Sequence, residues 1–303
     1  MKIVIAGGTG FLGRPLTDAL AHDGHDVVIL TRGQNGGRTG VRSVPWSPNG
    51  ELGPWAAEID GAGAVVNLAG EPIAGKRWTA TQKACILDSR IHATRSLAAA
   101  IRGATAAPQV LVNGSAVGYY GPRGDDVVTE SAPAGSDFLA HVCVQWEHEA
   151  LRAASDRTRV VCLRTGIVLE KDGGALPQML PPFWFGAGGP VGSGRQYWPW
   201  IHRDDWIGLV QWAIASPEVQ GAINATAPHP VTNAEFARAL GRAIHRPAFM
   251  PAPGFALKLV LGEMADALLL SGQNAVPDAA TRAGFSFRYR DVNDALRAIF
   301  PGA

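Results

Sequence analysis

The chain has 303 residues, 47% of them apolar and 17% charged, with a formal net charge of +1. That length buries a large core, in one big α/β domain or in a large domain with a smaller companion, and the composition excludes a disordered chain. The near-zero charge gives no electrostatic footprint for nucleic acid or for an anionic membrane, and no apolar run approaches the roughly 20 residues that span a bilayer, so neither partner is expected.

In chain order, "MKIVIAGGTG" has an apolar run too short for a signal peptide, and it turns straight into glycines. "KIVIAG" reads instead as a buried parallel strand. "RPLTDALAHDG" follows as an amphipathic helix, with Pro15 in the first turn, where its missing N–H costs little. "DVVILTR" is the next strand, and "AVVNLAG", "QVLVNGSA" and "RVVCLRTGIVL" are further apolar runs. Helical stretches at 79–102 and 137–155 lie between them. Strand alternating with helix predicts right-handed crossovers and a doubly wound parallel sheet.

Beyond residue 170 the texture changes. "PQMLPPFWFGAGGPVGSGRQYWPWIHRDDW" holds too many turn formers to be one regular element. A helix, "DWIGLVQWAIAS", and a short strand, "GAINATA", come next. Then "TNAEFARALGRAI" opens on a Thr/Asn cap with a following glutamate, and "ALKLVLGEMADALLL" reads as a second helix. The predicted fold class is therefore α/β: a Rossmann-type domain over 1–225, of which 170–205 contribute to a substrate lid, and a small, mostly helical C-terminal substrate domain over 226–303.

Cys85, Cys143 and Cys162 are an odd number without CxxC spacing, so they read as buried thiols in a reducing compartment, and a soluble cytoplasmic protein is the expectation. His202, Asp204 and Asp205 in "WIHRDDW" have metal-ligand chemistry. An aspartate capping the next helix is the simpler reading, and no metal is expected.

"GGTGFLG" sets Gly7, Gly10 and Gly13 three apart, directly after a predicted strand and opening a predicted helix. Gly7 makes the tight turn, Gly10 lets backbone approach a pyrophosphate, and Gly13 lets helix and strand pack closely. With Phe11 and Leu12 between them, they form the expected phosphate cradle at a helix N-terminus. An acidic residue about 20 positions on would hold the ribose 2′-hydroxyl of NAD. Here the strand ends in Thr31 and Arg32, while Asp26 lies at its wrong end. A guanidinium pairs with the 2′-phosphate of NADP in a fork geometry, so NADP(H) is expected over NAD(H). Leu68, Ala69 and Gly70, after Asn67, form the strand end expected beside the adenine ribose.

Together, "AGGTGFLG", "NLAG", "NGSAVGYYG", "LRTGIVL" and "WIHRDD" resemble the extended short-chain dehydrogenase/reductases, which include the NAD-dependent epimerases and dehydratases of sugar nucleotides. More narrowly, "GYYG", "GGALPQMLPPF", "GGPVGSGRQYWPWIHRDD", "LGEMADALLLSGQ" and "AGFSF" are similar to one epimerase-like branch with its own small C-terminal domain. The resemblance runs to about residue 299.

The resemblance implies a serine, a tyrosine acid and a lysine that lowers the tyrosine's pKa and binds the nicotinamide ribose. Ser115, after the strand "QVLVN", matches the serine. Taking Glu147 as the glutamate that follows the lysine by four residues puts Cys143 at the lysine position and Leu139 at the tyrosine position. The pair is absent: no lysine lies between Lys83 and Lys171, and no tyrosine has a lysine four residues later.

Three explanations stand. Tyr119 or Tyr120 in "SAVGYYG" substitutes as the acid, solvent or His141 supplies the proton, or the protein binds NADP(H) without turnover. The resemblance also places Arg90 on a helix beside the cofactor, Val168 as an apolar wall over nicotinamide, and Arg195 and Gln196 as substrate contacts. Trp184, Tyr197, Trp198 and Trp200 read as substrate contacts or as core between the two domains. The resulting expectation is an NADP(H)-dependent oxidoreductase of a small-molecule carbonyl or alcohol. The alternatives are a nucleotide-sugar epimerase with transient hydride transfer and a catalytically silent NADP(H)-binding regulator. The resemblance also allows a homodimer through helices flanking the sheet.

Overall fold

A computed structural model of the protein describes residues 1–33 and 40–302. The first half alternates β1 (Lys2–Ala6), α1 (Gly13–His22), β2 (Asp26–Thr31), β3 (Val41–Pro45), β4 (Ala64–Asn67), α2 (Ala80–Gly103) and β5 (Val110–Ala116). After the short β6 (Val127–Val128) come α3 (Phe138–Leu151), β7 (Arg159–Thr165), β8 (Ile167–Leu169) and α4 (Leu176–Trp184). Then follow β9 (Tyr197–Trp198), β10 (Trp200–His202), α5 (Arg203–Ala215) and β11 (Gly221–Ala225). The C-terminal part holds β12 (Val231–Thr232), α6 (Asn233–Ala243), α7 (Gly254–Leu261), α8 (Glu263–Ala265), β13 (Asn274–Ala275), α9 (Asp278–Arg282) and α10 (Val292–Ile299).

Seven strands form one parallel sheet in the order β11-β7-β5-β4-β1-β2-β3. The continuous apolar runs of β1, β2, β4, β5 and β7 are buried because helices cover both faces. Leu16 and Leu20 of α1 and Trp206, Leu209 and Val210 of α5 pack on one face. Ala93, Leu97 and Ile101 of α2 and Ala150 of α3 pack on the other. The chain winds outward from β1 to β3, then returns to β4 beside β1 and winds the other way. The carboxyl ends of β1 and β4 therefore flank the switch point, where ligands bind in open α/β sheets.

Edge strand β3 gives no signal in the sequence. Its "VRSVP" is short, polar in the middle and only half buried, with Arg42 held bidentately by Glu58 at 2.5 and 2.6 Å.

A second core unites α6 and α10 with Leu176, Phe183, Trp198 and Trp200, so the segment expected as a lid also supplies much of the C-terminal core. Helix α6 starts at a full capping box, Thr232 with Glu235, worth about 1 kcal/mol. The predicted helix "ALKLVLGEMADALLL" breaks at Gly262, whose φ of +62° turns the chain between α7 and α8. Among the described residues, no helix is long and apolar enough to cross a membrane.

Candidate cofactor and substrate site

The turn after β1 leaves no room for side chains. Gly7 has φ +82°, and a Cβ there would lie 2.7 Å from the Leu68 carbonyl carbon. A Cβ on Gly13 would lie 2.1 Å from the Gly7 oxygen, so α1 begins hard against the turn. Leu12 occupies the N-cap and has no side-chain oxygen to accept from the first amides of the helix. The Gly10 amide donates to Gly7 O and Arg14 to Gly10 O. No described residue accepts from the amides of Phe11, Leu12 or Gly13. Unpaired amides at the positive end of α1 suit an anion. The residues therefore fit the pyrophosphate of a dinucleotide.

The neighbouring strand ends complete this cleft. Asn67 is fully buried and donates to Thr94 Oγ1 at 2.8 Å and Asn113 Oδ1 at 2.7 Å, while its own oxygen accepts from the Ala69 amide at 3.2 Å. This fixes the backbone of Leu68, Ala69 and Gly70. Arg90 packs its guanidinium on Gly70, donates to the Glu71 and Ile86 carbonyls at 3.0 and 2.9 Å, and lies 5.0 Å over the Trp146 ring. Burial pushes its pKa down, and nearby Cys143 and Glu71 partly offset that shift. At the end of β2, Thr31 accepts from the Gly33 amide at 3.2 Å. Arg32 is exposed and pairs with no described residue.

A cavity of about 160 Å³ lies at the carboxyl ends of β5 and β7. Ala116 and Thr165 line it from the sheet, Ile167 from β8, Leu139 and Cys143 from α3, and Tyr197, Trp198, Ala267, Leu268 and residues 271–273 from the far side. Leu139 and Cys143 are one helical turn apart and face the same space. The positions counted back from Glu147 thus both line the cavity, with a hydrocarbon where the acid would stand and a thiol in place of the lysine. Burial, and then the charge of Glu147, push the Cys143 thiol up to about 12, so it stays neutral.

Three expected catalytic residues are committed elsewhere. Ser115 is buried and donates to Glu147 Oε1 at 2.6 Å; the next residue, Ala116, lines the cavity. Neighbouring residues of a strand point to opposite faces, so an offset of one decides which side chain meets a ligand. Tyr120 is fully buried, donates to Asn224 Oδ1 at 2.6 Å and accepts from Arg164 at 3.0 Å. Burial pushes its phenol up to about 12. Tyr119 has the Arg164 guanidinium 3.4 Å above its ring centroid and does not line the cavity.

All three surround one buried ion pair. Arg164 donates to both oxygens of Glu147 at 2.9 and 2.8 Å. Burial would lower its pKa, but the bonds to Glu147 and that residue's charge outweigh burial and raise it. Replacing Ser115 by alanine removes one bond at the rim of this pair. It is expected to cost about 1 kcal/mol of stability and to leave any turnover within roughly twofold, checked by unfolding and steady-state rates.

The remaining expectations shift in the same way. Val168 is packed in the sheet core, and Ile167 lines the cavity instead. Gln196 spends its amide on the Val191 and Leu269 carbonyls at 3.0 and 2.7 Å, and Arg195 is exposed outside the cavity. Gln196 therefore braces the chain. His141 is exposed on α3 and does not line the cavity. His202 is the N-cap of α5 and accepts from the Asp204 amide at 3.1 Å. Buried Asp205 accepts from the Arg288 and Tyr289 amides, both at 2.8 Å, tying α5 to the C-terminal segment. Ala116, Ile167 and Gln273 are among the cavity residues that the sequence did not single out. The first two are each one residue from an expected position.

The sequence pattern of the NAD dependent epimerase/dehydratase family matches residues 3–225, and that of a domain of unknown function, DUF1731, matches residues 252–299. The chain is 44% identical over 303 residues to the chloroplastic epimerase family protein SDR39U1 homolog of Arabidopsis thaliana, covering 99% of this chain and 86% of that one. The crystal structure of human epimerase family protein SDR39U1 with NADPH superposes with a TM-score of 0.91 at 36% identity over 100% of both chains. A nucleoside-diphosphate sugar epimerase from Corynebacterium glutamicum gives a TM-score of 0.81 at 33% identity, over 99% of this chain and 58% of that one. With the family pattern spanning most of its length, the chain belongs to the NAD-dependent epimerase/dehydratase family, as an extended short-chain dehydrogenase/reductase.

Proposed function

We infer that the protein is an NADP(H)-dependent oxidoreductase of a small, largely apolar carbonyl or alcohol compound. The observation that carries this reading is the lining of the cavity beside the cofactor cleft. Ile73, Leu139, Val142, Ile167, Pro199 and Leu268 give it apolar walls, with few polar side chains among them. Apolar walls with a few placed polar groups select a compact apolar ligand.

A sugar nucleotide would need charged partners for its diphosphate. Arg195 stands outside the cavity, and the one arginine that lines it, Arg90, spends its Nη1 on the Glu71 and Ile86 carbonyls. The epimerase reading is the weaker one for that reason.

The cradle from Gly7 to Gly13 would hold the pyrophosphate, and Arg32 the 2′-phosphate. That the human relative was crystallised with NADPH supports this preference. Bound NADPH supplies a hydride. Among the tyrosines, Tyr197 is the one lining the cavity, and no described residue takes up its hydroxyl. In this reading its phenol gives a proton to the substrate oxygen and is reprotonated from water.

Arg32→Ala should weaken NADPH binding about tenfold or more and NADH binding hardly at all, by fluorescence titration. Equal losses for both nucleotides would remove that role. Incubation with NADPH and a panel of apolar aldehydes and ketones, beside UDP-sugars, should consume NADPH with the former alone. Consumption with UDP-sugars alone would favour the epimerase reading.

A further inference from the structure

The apolar cavity contains an amide that the fold uses at one end only. Gln273 lines the cavity and is 9% exposed. Its Nε2 donates to the Gly121 carbonyl at 2.9 Å, while no described residue donates to its Oε1. A carbonyl only accepts, so Gly121 fixes which end of the amide is spent and leaves the oxygen for the cavity. Trp198 Nε1 also lacks a partner but is sealed inside the packing, whereas Gln273 Oε1 is not. Buried polar groups have hydrogen-bond partners as a rule, so this acceptor calls for a donor from outside the fold.

The chain holds Gln273 from both sides. The Arg123 amide donates to the Gly272 carbonyl at 3.2 Å, and Asn274 and Ala275 pair with Val127 and Val128 as β13 on β6. A Cβ on Gly272 would lie 1.9 Å from Tyr197 O, so the chain at 272 lies flush on the Tyr197 backbone. The acceptor of Gln273 and the phenol of Tyr197 therefore come from touching segments. The other hydroxyls that line the cavity turn back onto the chain. Thr165 donates to the Leu163 carbonyl at 3.2 Å and Ser271 to the Asp266 carbonyl at 2.7 Å.

We propose that Gln273 determines substrate specificity, and that the substrate is a hydroxycarbonyl compound: an apolar carbonyl with a hydroxyl close to it. The inference rests on the carbonyl reduction proposed above and names its substrate class. The substrate hydroxyl donates to Gln273 Oε1, and the carbonyl oxygen accepts from Tyr197. Hydride then adds to the carbonyl carbon and the Tyr197 proton to its oxygen, giving a diol. Charge rules out a cationic donor, because no carboxylate lines the cavity and the Arg90 guanidinium does. An amide N–H would bring a second carbonyl that needs a donor of its own. A ligand without the hydroxyl takes water from Oε1 and returns no bond, so the acceptor selects more sharply than the apolar walls do.

Steady-state consumption of NADPH by the full chain with three matched ketones tests the proposal. They are hydroxymethyl phenyl ketone, its methyl ether, and methyl phenyl ketone. The ether keeps the inductive pull of the oxygen and removes only the donor. In the parent, kcat/KM for the hydroxyketone should exceed that for either partner about 10- to 100-fold. In Gln273→Met, of similar volume, that preference should fall to within roughly threefold, with NADPH affinity kept. The variant also loses the bond to Gly121, so the preference is read as a ratio within each protein, which a general loss of rate does not move. Equal kcat/KM for the hydroxyketone and its ether in the parent overturns the proposal, because Oε1 then keeps a water. An undiminished preference in Gln273→Met overturns it as well. Reduction of all three ketones without preference leaves the carbonyl reductase reading standing, whereas absence of reduction with every carbonyl compound removes both.

Discussion

Glu147→Ala is expected to cost about 3–5 kcal/mol of folding stability and to lower Tm by roughly 10 °C. Glu147 is 8% exposed and Arg164 4% exposed, and their contact is bidentate. Removing the carboxylate leaves a guanidinium buried without its counter-charge, beside a Ser115 hydroxyl that loses its acceptor. The other partners of Arg164, the Tyr120 hydroxyl, the Glu130 carbonyl and the Tyr119 ring, carry no formal charge and do not replace the carboxylate. Glu147→Leu combined with Arg164→Met removes both charges at similar volume and should recover most of the loss, because the penalty belongs to the orphaned charge. Denaturant unfolding measures both variants. A single variant within about 1 kcal/mol of the parent would show that water reaches this pair.

The second large effect is on the cofactor. Gly10→Val should weaken NADPH binding on the order of 100-fold, about 2.7 kcal/mol, with Tm unchanged. A Cβ at Gly10 meets only the Gly7 oxygen, at 3.4 Å, so the fold accepts a side chain there. That side chain fills the space above the free amides where a pyrophosphate must approach. Gly13→Ala separates the two roles of the loop, since its Cβ would lie 2.1 Å from the Gly7 oxygen and must force α1 away from β1. The expected outcome is lost stability together with lost binding. NADPH titration of Gly10→Val with a calorimetric Tm checks the first expectation, and full binding by that variant would contradict the cradle.

The fold was legible in the sequence where burial dictates it. Buried parallel strands must be apolar on both faces, so β1, β2, β4, β5 and β7 stand out as continuous runs, and the glycine loop marks the switch point. Edge strand β3 is half solvated and lacks that signal. The break at Gly262 is hidden because the flanking sequence keeps a helical composition.

The site was legible by counting on α3. Glu147 has its place in the ion pair, and Leu139 and Cys143 turn to the cavity as a helical repeat of four demands. Strand ends were harder. The hydroxyl of Ser115 and the place of Val168 in "RTGIVL" point to those two residues, yet pleat alternation gives the cavity to Ala116 and Ile167. The phenols of "GYYG" were consumed by Arg164, a tertiary contact that spacing does not carry.

The most direct test mixes NADPH-loaded protein with apolar aldehydes and ketones and follows the loss of reduced nicotinamide, for the parent chain and for Tyr197→Phe. Oxidation by at least one carbonyl is expected, slowed about 100-fold or more by Tyr197→Phe with NADPH affinity unchanged. Absence of oxidation across the panel, or an equal rate in the variant, would contradict it.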